Sequence, residues 1–397
     1  MDFSPVWIGG LCLFGLLIQG SGALVVLVRL MKGAVRRSPL TPQASNSDNL
    51  AAVTVVVPSL NEVERIQPCL DGLSQQSYEV REILVVDSNS TDGTREKILA
   101  KAATDPRFRL LTDDPLPQGW VGRPWALNWG FEHSSPDSEW ILGVDADTQP
   151  QRGMIASVLQ AAEEEGFDLV SLSPQFILRS PGEWWLQPAL LMTLLFRFDV
   201  AGIRQPDQDS VMANGQCFLC RREVLEKVGG YRSAAGSFCD DVTLARNIAK
   251  AGYKVGFLDG AKIIKVRMYE GMRETWDEWG RSLDLKDATS RTELWGQLWL
   301  LTMVQGLPIP LTMLLFGGIE EGLSNPFLSG WLGLNVFLLL VRFGMLLAIF
   351  GSYDRQFSVG KSAWLFWLSP FADPFAVARI FLSARQKPKA WRGRVYS

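Results

Sequence analysis

Apolar and polar positions change their rhythm along this chain. Residues 6–28, VWIGGLCLFGLLIQGSGALVVLV, carry no charge. Residues 294–316 and 327–350 repeat that pattern near the other end, the second interrupted only by Arg342. Each run has the length of roughly 20 apolar residues that a helix needs to cross a bilayer. Residues 362–383 are also apolar, but Pro370, Asp373 and Pro374 predict a break there and a re-entrant or interfacial segment. Between residues 40 and 290 no window is long and apolar enough to span. The stretch LQPALLMTLLF at 186–196, after Trp184 and Trp185, is too short to cross and is expected to lie on the membrane surface.

Between the outer runs the rhythm is that of strands alternating with helices. VTVVVP at 53–58 is a β-branched run closed by proline. After it, Ser59 or Asn61 can cap a helix whose apolar positions are Val63, Ile66, Leu70 and Leu73. EILVV at 82–86 ends in the turn-forming DSNSTDGT, which leads into a helix over about 92–103, and further strands are expected at 107–112 and 140–144. This alternation predicts an α/β fold with a mostly parallel sheet and right-handed crossovers. Ligands of such sheets bind beyond the carboxyl ends of the strands. The residues delivered there are Ser59, Asn61 and Glu62, then Asp87 and Ser88, then Asp145 and Asp147.

Charge and composition narrow the chemistry. A net charge of −3 and no basic stripe argue against nucleic acid as a partner. Arg29, Lys32, Arg36 and Arg37 follow the first apolar run, which has Asp2 where a cleaved leader would be basic. By the positive-inside rule they place the central domain in the cytoplasm, with the basic tail at 384–397 on the same side. The five cysteines are then expected as free thiols, and the CFLC pair Cys217 and Cys220 has no second pair to complete a zinc site. The one histidine, His133, sits in FEHSSPDSEW, which reads as a surface loop and not as part of a Ser-His-Asp or Cys-His hydrolase.

No GxGxxG follows a strand and no GxxxxGKS/T occurs, so glycine-rich phosphate cradles are missing. EWILGVDADTQP offers another device. Its two aspartates can hold a divalent cation with oxygen ligands, Mg²⁺ or Mn²⁺, which bridges protein to a diphosphate. In FCDDVTLARNIAKAG, Leu244, Ala245, Ile248 and Ala249 form a helical stripe ending at Gly252, so Asp240 and Asp241 stand at a helix amino terminus. Dipole partnership there contributes about 0.3–1 kcal/mol per acidic residue, which accounts for one aspartate better than for two.

VVVPSLNE, ILVVDSNSTDGT, GWVGRPWALNWG, ILGVDADT, ANGQCFLCRREVLEKVGGY and FCDDVTLARNIAKAGYKV, in this order over about residues 50–290, resemble the family-2 inverting glycosyltransferases of GT-A fold. RMY at 267–269 and the closing WRGRVY are similar to the carotenoid and hopanoid-associated branch that glycosylates membrane lipids. The resemblance implies a nucleotide-sugar donor bound by Pro58, Ser59, Glu62, Asp87, Arg123 and Asp145, with the cation on Asp147. It implies a general base in the CDD segment, Asp241 with Asp240 beside it; the family commonly has Glu-Asp there. Asn214, Gly215 and Gln216 match the acceptor-side rim. Arg267, Trp276, Trp279 and Arg281 fall where processive relatives carry an arginine-tryptophan motif, although Trp276, Trp279 and Met272 also read as the apolar face of an interfacial helix. Arg123 reads equally as a solvated loop arginine.

The expected division is a membrane helix and basic flank at 1–40, a catalytic domain at 50–255, acceptor-side helices at 256–293, and membrane segments at 294–383. The implied activity is transfer of a sugar to a hydroxyl of a lipid in a plasma or internal bacterial membrane. A hydroxylated carotenoid is the first acceptor, and a hopanoid, a diacylglycerol or sphingoid lipid, or polyprenyl phosphate are the alternatives. A haloacid-dehalogenase-type phosphatase shares the strand-DxD pattern but has Thr or Val where Gln149 stands. A membrane carrier with a regulatory domain would want more ionisable residues in its spans than Arg342 and Asp373.

Overall fold

The computed structural model describes residues 5–113, 115–204, 210–280, 283, 285–354, 362–385, 390–391 and 394–395. Arg281 and most of the basic tail lie outside these. The chain forms two compact units, one made mainly of Val35–Ile177 and Asp199–Met268, the other of Met1–Ala34, Leu178–Phe198 and Tyr269–Lys387.

The first unit is built on a seven-stranded sheet. Its strands are β1 (Val53–Ser59), β2 (Val80–Asp87), β3 (Phe108–Thr112), β4 (Trp140–Gly143), β6 (Leu169–Ser173), β8 (Phe218–Arg221) and β9 (Val255–Asp259), in the order β3-β2-β1-β4-β8-β6-β9. All pairings are parallel except those of β8, which runs antiparallel to both β4 and β6. This is the GT-A arrangement. A three-stranded sheet joins β5 (Thr148–Pro150), β10 (Ile264–Val266) and β7 (Gln175–Phe176).

β1 explains why this sheet is central. Its seven residues are all buried, as a strand covered on both faces must be. Val53, Val55 and Val57 pack with Ile66, Leu70, Ile98, Met154 and Val158, which come from the helices Ile66–Ser74, Thr94–Ala102 and Met154–Glu165. Val56 faces the other way, into Ala126, Leu127, Leu244 and Ile248 from the helices Gly122–Glu132 and Asp240–Lys250. The domain is therefore a helix-sheet-helix sandwich.

Two details shape the carboxyl edge of the sheet. Pairing between β1 and β4 stops at Val56–Gly143, and the last rung is the Val144 N–H on Val56 O at 3.0 Å. Two residues further along the same edge of β1 stands Pro58, which has no N–H to continue the ladder. The strands part at the point where the chain reverses its direction of travel across the sheet, the usual ligand crevice of open α/β folds. Gly130 brings the Gly122–Glu132 helix down onto this edge, since a Cβ there would collide with Val56 Cγ1.

The helix after β1 starts at Ile66, later than its apolar spacing implied, and its amino-terminal cap position is Arg65 without a side-chain cap bond. Ser59 and Asn61 are therefore not its caps. The Ser59 hydroxyl donates to Val86 O, and Asn61 turns the chain at φ +53°. His133 is not in a loop but closes the Gly122–Glu132 helix, exposed and 4.4 Å from the Trp129 ring.

The second unit is helical. Trp7–Gly33, Pro326–Ser352 and Ala363–Arg385 are each long and apolar enough to cross a membrane. The sharp bend lies where Arg291–Gly306 and Pro308–Glu320 meet at 51°, within the run that reads as continuous; at 362–383 the winding changes from a 3-10 helix over Ala363–Ala372 to an α-helix over Asp373–Arg385. Proline at the first position of the second half supplies that break. Pro181–Arg197 does not present its apolar residues as a surface helix does, because Trp184, Leu186, Leu190, Met192 and Phe196 are buried. Trp184 packs against Tyr353 and Phe366 of the same unit. Arg342 and Asp373 are each other's partner: the guanidinium donates to both carboxylate oxygens at 2.7 and 3.0 Å, and both side chains are buried. Gln305 adds a bond to Asp373 at 3.1 Å.

Breaking such a pair from one side leaves a buried charge alone, at a cost of about 3–5 kcal/mol, while replacing both partners by apolar groups is close to neutral. Arg342→Met is thus expected to lower the unfolding midpoint of the detergent-solubilised protein strongly, and Arg342→Met with Asp373→Leu to recover most of the loss. Equal additive losses in the double variant would show that the pair is not coupled.

Candidate active site

Three loops meet at the carboxyl edge. The loop after β1 is laced to the loop after β2: the Asn61 N–H donates to Ser90 Oγ at 2.9 Å, Thr91 N–H to Asn61 Oδ1 at 3.0 Å, Glu62 N–H to Thr94 Oγ1 at 2.8 Å and Val63 N–H to Asp92 Oδ2 at 3.0 Å. Short polar side chains make these bonds because they satisfy backbone donors that no strand or helix reaches. Pro58, Ser59, Glu62 and Asp87 are brought together on this pad, paired in register at Ser59–Asp87. Asp87 is wholly buried; its Oδ2 takes the Ser90 N–H at 3.3 Å, and its Oδ1 has no partner. A buried, unpartnered carboxylate oxygen is costly unless a donor from outside completes it.

β3 delivers a residue that the sequence pattern did not single out. Asp113, directly after the strand, is buried and accepts the Ser88 hydroxyl at 3.0 Å. Its position one residue beyond the expected strand 107–112 was the available signal.

After β4 the chain makes a tight turn, with Thr148 N–H on Asp145 O at 3.0 Å, and buries Asp147 in it. The Cys69 thiol lies among these groups: burial first, then Asp147, Asp145 and Glu62, raise its pKa. Among the described residues no three His, Cys, Asp or Glu side chains gather to hold an ion by themselves. An ion held there would draw most of its ligands from a diphosphate and water, as Mg²⁺-type ions do when one or two carboxylates bind them. The donor set fits such a substrate-borne cation.

Arg123 is not a loop residue. It occupies the first turn of the Gly122–Glu132 helix, and its guanidinium is largely buried. Its Nε–H donates to Asp145 Oδ1 at 2.7 Å, and its Nη1 donates to Asp240 Oδ2. Burial works against its charge, and Asp145, Asp240 and Asp241 more than offset that, raising its pKa. Gln216 reaches Asp145 Oδ2 at 3.4 Å, and Asn214 Oδ1 accepts the Gln216 N–H at 3.2 Å.

Asp240 and Asp241 open the Asp240–Lys250 helix, as expected. Burial raises the Asp240 carboxyl and Arg123 opposes it. Asp241 keeps partial exposure, yet desolvation and then the neighbouring Asp240 push its carboxyl up to about 7, with Arg123 opposing. Two adjacent carboxylates in such a site cannot both ionise freely. Arg123 bonds to Asp240, whereas the bond to the Asp241 carboxyl comes from the Val242 N–H.

The expected acceptor-side set divides. Asn214, Gly215 and Gln216 belong to this edge and Arg267 follows β10, while Trp276 and Trp279 belong to the helical unit. Trp279 is buried and stacks on Tyr269 at 6.3 Å, and Trp276 lies under Arg379 at 5.8 Å, so neither reads simply as an exposed interfacial tryptophan.

Residues 54–229 match the family model described as Glycosyl transferase family 2. This segment is a family-2 glycosyltransferase domain. The chain is 23% identical over 268 residues to a 4,4'-diaponeurosporenoate glycosyltransferase of Staphylococcus haemolyticus, covering 66% of this chain and 70% of that protein. To the enzyme of the same name from Staphylococcus aureus (strain MRSA252) it is 24% identical over 392 residues, covering 94% and 96%. Among solved structures it is similar to the mannosyltransferase PcManGT from Pyrobaculum calidifontis in complex with GDP-Man and Mn²⁺, with 19% identity, 94% and 96% coverage and a TM-score of 0.49.

The raised Asp241 carboxyl has a stability consequence. Between the usual aspartate pKa, near 3.9, and about 7 the folded state binds a proton that the unfolded state has lost. Stability then falls as pH rises through that window. Asp241→Asn should therefore raise the unfolding midpoint most at about pH 8 and clearly less at about pH 5. Equal shifts at both pH values would show that Asp241 is not held above its ordinary range.

Proposed function

We propose that the chain is an inverting glycosyltransferase that moves a sugar from a nucleotide-sugar donor to a hydroxyl of a membrane lipid. The observation that carries the reading is Asp241: a partly exposed carboxyl, poised near neutral pH, at the edge of the crevice where β1 and β4 part. Inversion takes one in-line displacement at the anomeric carbon, with a base to remove the acceptor proton as the new bond forms. Asp241 is that base. Asp87, whose Oδ1 is buried without a partner, takes a donor N–H of the nucleotide base, while Pro58, Ser59 and Glu62 shape the same subsite. Asp145 lies toward the ribose, with Arg123 beside it. Asp147 would hold a divalent cation, Mg²⁺ or Mn²⁺; when bound, that ion supplies positive charge to the departing nucleoside diphosphate.

A carotenoid is the acceptor favoured here, supported by the names of the staphylococcal relatives and by the lipid-directed resemblance. The site itself favours a hydroxyl over a carboxylate acceptor, since a carboxylate arrives already ionised and has no need of Asp241. Helices long and apolar enough to cross a membrane support a membrane-integral enzyme, and the basic flank after the first of them supports a cytoplasmic catalytic domain.

Asp147→Asn should abolish turnover and the stimulation of donor binding by Mn²⁺; full activity in EDTA would sink the cation assignment. Asp241→Asn should keep donor binding and lose transfer by about 10²-fold or more. If Asp240→Asn is the more damaged variant, the base is the other member of the pair. Mass spectrometry of pigment and lipid extracts from a deletion strain should show one lipid short of a hexose or deoxyhexose. Unchanged extracts would refute the lipid acceptor.

A further inference from the structure

Asp240 and Asp241 are sequence neighbours with different surroundings. The fork of Arg123 ties the turn after β4 to the start of the Asp240–Lys250 helix, through Asp145 Oδ1 at 2.7 Å and Asp240 Oδ2. Asp241 Oδ1 accepts the Val242 N–H at 2.8 Å, and among the described residues no side chain hydrogen-bonds to this carboxyl. Room for the fork is made at Gly215: a Cβ there would collide with Arg123 Nη2 and stand 2.6 Å from Asp145 Oδ2. A rigid guanidinium can bridge two carboxylates held by different elements, whereas an ammonium is a point charge without that geometry.

We propose that Arg123 is a positioning residue: by bridging Asp145 and Asp240 it leaves Asp241 as the member of the pair that carries the proton, and Gly215 is the position whose missing side chain permits the bridge. The groups that face Asp241 are Asp240 on its own helix, Arg123 on the Gly122–Glu132 helix and Asp145 after β4. The Tyr231 hydroxyl, from the Gly230–Ala234 turn, feels the same Arg123 and Asp240. Losing Arg123 removes the cation from this set, so the proton is held more tightly and shared between the two aspartates. Losing Asp240 removes the nearest negative charge, so the proton is held less tightly.

The inference rests on the glycosyltransferase reading for its catalytic meaning, but its test reads protonation and needs neither donor nor acceptor. Infrared difference spectroscopy of the full chain in detergent, titrated with pH, follows the protonated-carboxyl absorption that Asp241→Asn removes. In the unaltered protein its midpoint should lie near neutral. Arg123→Met and Gly215→Ala should each move it up by about one pH unit or more, and Asp240→Asn should move it down. Arg123→Lys, which keeps the charge and guards against a misfolded Arg123→Met, should fall between. The proposal is overturned if Arg123→Met and Gly215→Ala leave the midpoint in place, or if Asp240→Asn, and not Asp241→Asn, removes the signal. These shifts alongside an absence of sugar transfer in the unaltered protein would instead count against the assigned reaction.

Discussion

Asp145, Asp240 and Asp241 crowd one edge of a sheet, and Arg123 is the positive charge that faces all three. Without it, three carboxyl groups would be drawn out of water together, and most of their charge would be lost to protonation. With it, two elements far apart in sequence are held at a fixed separation, and the remaining proton has one preferred home. The guanidinium is therefore both a brace and a bias. Asp87 closes β2, and Asp147 lies in the turn that follows β4.

That brace works because the sheet opens where it does. Pro58 cannot extend the ladder to β4, and Gly130 lets the Arg123 helix sit against Val56. The same crossing of strands supplies a floor of hydrogen-bonded loops, in which Asn61, Ser90, Asp92 and Thr94 satisfy backbone groups that no strand reaches.

Much of this was legible in the residues alone, for identifiable reasons. β1, β2 and β4 read well because buried parallel strands are continuous apolar runs, and the DD helix read well because its stripe and its Gly252 terminus agree. β8 was harder: FLCR is a four-residue strand, and its antiparallel direction is set by long-range pairing with β4 and β6. Arg123 was ambiguous because one letter does not tell a solvated arginine from a buried one, and its partners lie 22 and 117 residues away. The bend between Gly306 and Pro308 shows the limit of proline counting, since a proline in the first turn of a helix interrupts the preceding helix and leaves its own intact; the same rule fits the change from 3-10 to α winding at Asp373, beside Pro374. Pro181–Arg197 shows the limit of hydropathy: an apolar segment too short to span packs inside a helical unit as readily as on a bilayer.

The Arg342–Asp373 pair carries a consequence for biogenesis. Each charge alone, at the centre of a helix, costs about 2.5–3.5 kcal/mol when the segment partitions into lipid. Arg342 belongs to the strongly apolar Pro326–Ser352 helix, while Ala363–Arg385 is the less apolar of the two. Synthesis from the amino terminus places the arginine first. In a bilayer the weaker segment would thus meet a waiting counter-charge, and its insertion would be conditional on the helix made before it.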